Sequence, residues 1–185
     1  GIRIPEEYGG LGLGDLELCV IAEELGRFLA PVPYSSSVYL FTEAIINYGT
    51  EEIKKDILPK LVSGEIVGTL GVTEDLHAPT KENINLNYVD GKITGKKIAV
   101  PDAGVATHAV IVAKSDKGIS LQLVDLSSSG VAIEHQENID ESRGHFSISF
   151  ENVQTKMLGD EFSGWELYES LINQAAVLFS YEQIG

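Results

Sequence analysis

Asn83-Ile84-Asn85-Leu86-Asn87-Tyr88-Val89-Asp90-Gly91-Lys92-Ile93 decides the architecture of this chain. Ile84, Leu86 and Tyr88 alternate with three asparagines, the period of a strand buried on one face. Asp90-Gly91 then supplies the pair that suits a two-residue hairpin turn, where both central residues need positive φ. Ile93 resumes the apolar pattern beyond the turn. Strand signals continue on both sides, from Ile66 onward and again over residues 98–100. Residues 109–113 form an unbroken apolar run, read as a strand buried on both faces. A turn follows at 114–118, and Ile119, Leu121 and Leu123 alternate again. Residues 127–130 make a short Ser/Gly loop, and 147–153 a last strand with Ile148 and Phe150 on one side. Several short strands at this spacing predict a β-barrel or sandwich.

Outside this β region the period is helical. Asp15 is placed to cap a helix carrying Leu18, Ile21, Ala22, Leu25 and Leu29 at intervals of three and four, with Glu23, Glu24 and Arg27 opposite. Pro31 and Pro33 end it. A second helix is expected from Ser36 or Ser37, with Val38, Phe41, Ala44, Ile45 and Tyr48 on its stripe and Gly49 as a left-handed terminating residue. Thr50 caps a third, in which Pro59 predicts a break or kink. At the far end, Ser163 and Glu166 have capping-box spacing. Tyr168, Leu171, Ile172, Ala175, Leu178 and Phe179 make an apolar stripe that still runs at Gly185. Such a stripe must be buried, so a truncated chain or a partner surface is expected.

The chain has 185 residues, 28 of them acidic and 13 basic, for a net charge of −15. This balance repels phosphate backbones and argues against nucleic acid and anionic membranes as partners. No apolar run approaches the ~20 residues that span a bilayer, and no signal peptide is visible, so a cytoplasmic location is expected. The single cysteine, Cys19, lies on an apolar helical face and reads as an inert buried thiol. His77, His108, His135 and His145 are scattered, without metal-ligand spacing. Glu134, Glu137, Asp140 and Glu141 read as a solvated acidic loop.

Several motifs, in order along the chain, resemble the acyl-CoA dehydrogenase family. Residues 4–12, Ile-Pro-Glu-Glu-Tyr-Gly-Gly-Leu-Gly, are nearly letter for letter its N-terminal signature, followed by Glu23-Glu24-Leu25-Gly26. The segments 49–52, 58–61 and 63–65 resemble the passage into the family's middle domain. Asp90-Gly91 with Thr94-Gly95-Lys96-Lys97, then 150–153 with Leu158-Gly159, resemble its hairpin and closing strand. Ala175-Ala176 and 182–185 resemble the first C-terminal helix. The resemblance implies an α+β fold with a helical N-terminal part (1–65), a central β-barrel (66–160) and the start of a C-terminal helical bundle (161–185).

It also implies FAD as cofactor, acyl-CoA as substrate and a homodimer or homotetramer. The flavin-facing strand matches as Leu70-Gly71-Val72-Thr73-Glu74, which puts Leu70, Val72 and Thr73 at the ring; a flavin needs fixed hydrogen bonds along its edge to tune its electron affinity. Ala99, Val100 and Pro101 stand where many members place a tryptophan beside the flavin, followed by Ile/Val-Thr. Residues 100–103, Val-Pro-Asp-Ala, instead resemble a bacterial branch of the family. Alanine at 99 removes a large stacking surface. Residues 75–80, Asp-Leu-His-Ala-Pro-Thr, contain none of the small glycines that let backbone amides approach a phosphate. Thr80 stands as a replacement for the family's serine hydroxyl, and His77 reads as an exposed loop residue. The family's catalytic carboxylate is expected outside this chain, so the resemblance implies an inactive fragment of an FAD-dependent enzyme. The rival readings are a non-catalytic family-like subunit and an unrelated acyl-carrying β-barrel.

Overall fold

The computed structural model describes residues 1–140 and 142–185; the Glu141 part of the expected acidic loop lies outside them. The glycine-rich start folds on itself. Pro5 O accepts from Tyr8 N at 3.0 Å and Gly10 N at 3.2 Å, and Gly9 closes the turn at φ 85°. A Cβ on Gly10 would lie 1.9 Å from the Ile4 carbonyl oxygen, so no other residue fits. Helix α1 (Asp15–Arg27) is capped by Gly14, not by Asp15. The Gly14 amide donates to Glu17 Oε2 at 2.9 Å, while Asp15 turns to Arg3.

The second helical segment opens as eight residues of wide π-turn (Ser35–Thr42) before becoming α2 (Glu43–Tyr48). The Thr42 hydroxyl donates to Ser37 O, five residues back, at 2.7 Å. Gly49 is extended, φ −69°, instead of left-handed. It is glycine for space, since a Cβ would sit 2.6 Å from Ile45 O. Thr50 caps α3 (Glu51–Ser63) through its hydroxyl to Ile53 N at 3.3 Å, as expected. Pro59 does not break α3. It lies on the exposed face, where the carbonyl four residues back, on exposed Lys55, can turn to solvent.

Among the described residues eight strands follow: β1 Gly68–Gly71, β2 Asn87–Val89, β3 Lys92–Pro101, β4 His108–Lys114, β5 Ile119–Asp125, β6 Val131–Gln136, β7 His145–Gln154 and β8 Lys156–Leu158. The Asp90-Gly91 turn forms as read, with φ of 48° and 79°. The strand order is β6-β7-β3-β2-β4-β5-β8, with β1 parallel to β4. The edges β6 and β8 do not pair, so the sheet is open and the expected closed β-barrel is not formed. A physical reason lies at β8. It is three residues long, and the next residue, Gly159, donates to Tyr48 O on α2 at 2.9 Å, so a helix covers that edge.

The sheet nevertheless curls, which gives the chain two cores. Along β4, Val110 and Val112 face the first core, with the helices, while Ala109, Ile111 and Ala113 face the second, inside the curl with Ile93, Ile148 and Phe150. Residues 109–113 of β4 are all fully buried, as their unbroken apolar run predicts. Helix α4 (Gly164–Ile184) begins after Asp160, whose carboxylate accepts from Phe162 N, Ser163 N and the Ser163 hydroxyl. The capping box is absent: Glu166 reaches Lys81 instead. The α4 stripe is not left uncovered. Leu171, Ala175 and Leu178 are buried in the first core, where α4 packs on α1, the π-turn and β5.

Candidate functional site

Beyond β1 the chain runs as an extended rim over 72–74, beside the far end of β3. Thr73 O accepts from Ile98 N at 2.8 Å, and the Thr69 hydroxyl donates to Pro101 O at 2.6 Å. The structure thus brings segment 70–73 alongside segment 99–101. The side chains divide differently. Leu70 is buried in the first core and Val72 packs against it, while Val100 is buried in the second core. Ala99 is exposed at a β-bulge with φ 50°, and its amide donates to Gln136 Oε1 at 2.7 Å. Pro101 has no amide hydrogen. Thr80 is exposed in the following loop, its amide held by Asn83 Oδ1 at 2.7 Å. His77 is exposed beside Asp75, at 3.2 Å.

The sequence reading missed the most constrained group at this rim. Lys97 is 0% exposed, and its ammonium donates to Glu74 Oε1 at 2.6 Å and to Val72 O at 2.9 Å. Glu74 in turn accepts from Asn85 N at 2.9 Å and Leu86 N at 3.0 Å. Burial pushes the Lys97 ammonium down to about 8, and Glu74 only partly opposes this. A signal was present: Lys97 is in phase with Ile93 on a strand of period two, so the pleat turns it inward, and an inward charge requires a partner.

A cleft of about 810 Å³ opens nearby, between the end of α1, the start of the π-turn, the β6–β7 loop and the end of α4. Leu25, Leu40 and Phe179 supply apolar wall, and Pro101 reaches its rim. The Arg143 guanidinium crosses it, donating to the Ser35 hydroxyl and the Glu182 carboxylate. Behind it the buried Ser36 hydroxyl donates to Asp102 Oδ2 at 2.6 Å. Asp140, at the mouth, is held below the usual carboxylate range by the Ser142 hydroxyl and amide. Among the described residues, no group of three His, Cys, Asp or Glu side chains could hold a metal ion. No described helix is long and apolar enough to cross a membrane.

Comparison with known proteins bears on this geometry. Residues 1–65 match the family model for the acyl-CoA dehydrogenase N-terminal domain. Mitochondrial isovaleryl-CoA dehydrogenase of Solanum tuberosum is 34% identical over 141 residues, covering 70% of this chain and 34% of that protein. The Oryza sativa subsp. japonica enzyme of the same name is 30% identical over 204 residues, covering 100% of this chain and 49% of its own length. An acyl-CoA dehydrogenase complexed with FAD from Bacillus anthracis shares the fold, with a TM-score of 0.90 at 22% identity over 98% of this chain and 33% of that one. The chain spans between a third and a half of these proteins. Signature, fold and relatives agree: the chain belongs to the acyl-CoA dehydrogenase family.

Proposed function

We propose that this chain is the flavin-facing part of an FAD-dependent enzyme that removes hydrogens from the α and β carbons of an acyl-CoA thioester. On this reading residues 1–65 are an N-terminal helical domain, 66–160 the sheet domain and 161–185 the opening of a C-terminal helical domain. The observation that carries it is the 72–74 rim. The Val72 and Thr73 carbonyls are both engaged, by Lys97 and by Ile98 N. The Thr73 and Glu74 amides and the Thr73 hydroxyl find no acceptor among the described residues. The rim therefore offers donors, and the edge of an isoalloxazine ring carries the acceptors N1, O2, O4 and N5 around its N3–H donor; the residues fit those acceptors on this side. On the other side, Ala99 and Pro101 give contact surface and no free amide. Bound flavin supplies a hydride acceptor. The α proton needs a basic carboxylate; among the described residues of the cleft, Glu182 is paired with Arg143 through one oxygen and Asp140 is acidified by Ser142. On this reading the family's base lies outside residues 1–185 and the chain is inactive alone. Location in the cytoplasm and pairing of two copies through α4 complete the reading.

Adding a saturated acyl-CoA to the FAD-loaded chain tests this. The reading predicts a shifted flavin band and no reduction of an artificial electron acceptor. Acceptor reduction would overturn the inactivity, and an unmoved flavin band would overturn acyl-CoA binding beside the flavin. A second reading, a non-catalytic family subunit, is favoured by the Ala99 amide, which Gln136 already occupies. Failure to take up FAD would select it.

A further inference from the structure

We propose that Lys97 and Glu74 are positioning residues, a buried ion pair that holds the Val72–Glu74 rim in the shape that receives the flavin ring. The inference rests on the flavin reading above. Its first support is the expense of the arrangement. Removing two charges from water costs several kcal/mol per ion, and buried pairs are often replaceable by apolar side chains without loss of stability. Lys97 is fully buried and Glu74 12% exposed, so the pair is poorly explained by stability.

The second support is what the pair touches. The Lys97 stem runs beside Gly71, where a Cβ would lie 3.4 Å from its Cγ, and its ammonium arrives under the rim. One of its donors turns the Val72 carbonyl inward, and another fixes Glu74. The Glu74 carboxylate then takes both Asn85 N and Leu86 N, so it ties the two ends of the 75–84 loop together. One ammonium thus sets the direction of the rim and closes the base of the loop that follows it. With these carbonyls held inward, the donors left over face the acceptors of a flavin edge. An apolar residue at 97 would free the Val72 carbonyl to compete for the same space, and Glu74 would lose the charge that anchors it.

The test is FAD affinity, measured first on the parent chain and then on Lys97→Met, with Lys96→Met as control. Lys96 is half-exposed and, among the described residues, reaches Glu134 at 3.6 Å. Lys97→Met is expected to keep its circular dichroism, lose at least tenfold in FAD affinity, and leave the flavin it does bind fluorescent, as for a ring in water. Lys96→Met should match the parent. Parent-like affinity and quenching in folded Lys97→Met would overturn the inference. If that variant does not fold, Lys97→Met/Glu74→Gln removes both charges together. Folded double variant with weak, unquenched flavin supports the inference, and parent-like flavin overturns it. A parent chain that takes up no FAD removes the flavin reading itself, and the inference with it.

Discussion

At Lys97 a strand pleat has placed an ammonium where an apolar side chain would serve the core at least as well. Its ordinary value of 10.5 falls to about 8, because desolvation outweighs the attraction of Glu74. Between those two pH values the folded chain holds less proton at this site than the unfolded chain does. Stability then rises with pH across that window. The penalty of burying the charge is in full force below about pH 8 and is relieved toward pH 10.5. Urea unfolding of the parent and of Lys97→Met from pH 7 to 10.5 should show the parent gaining on the variant; a constant or widening deficit would contradict the assignment. Residue reading from sequence succeeded where one neighbour decides the outcome, as with the Asp90-Gly91 turn and the Thr50 cap. It failed where the decision is made across the fold. Asp15, Ser163 and Glu166 had local caps available and were drawn off by Arg3, Asp160 and Lys81. The adjacency of segments 70–73 and 99–101 was legible, because family motifs carried it. Which groups face outward was not, because Leu70 and Val100 are claimed by two different cores.

Among the elements, helices α1 and α4 meet through Gly26. A Cβ there would lie 1.8 Å from the Glu182 carbonyl oxygen, a backbone atom that cannot step aside by itself. Gly26→Ala would gain about 1 kcal/mol of helix propensity, yet the forced separation should reverse the sign. A net loss of about 1–3 kcal/mol is expected, read as a lower midpoint in thermal unfolding. An unchanged or raised midpoint would show that the crossing is loose. This contact also answers the stripe at the chain's end. Read in sequence, Leu171, Ala175 and Leu178 called for a surface outside the chain. The structure supplies it from α1, far away in sequence, and periodicity alone carries no record of such a partner. The π-turn at Ser35–Thr42 was likewise read as an ordinary helix, since its apolar spacing fits both windings.

For the whole molecule, short strands were legible and closure was not. An open curled sheet and a barrel bury the same alternating residues, and they differ only in whether the edges β6 and β8 meet. What α4 still shows to solvent is its outer face, with Val177 53% and Ile184 69% exposed. If two copies pair through this helix, Val177→Glu should give a monomer in light scattering with its fold intact, and an unchanged mass would exclude that face. Leu171→Glu cannot serve, because Leu171 is buried inside its own chain. The central claim is that the rim at Val72–Glu74 receives a flavin. The measurement that meets it most directly is the visible absorbance of the purified chain after incubation with FAD and desalting. A retained flavin band near one equivalent per chain is predicted. A colourless protein, folded by circular dichroism, would contradict it.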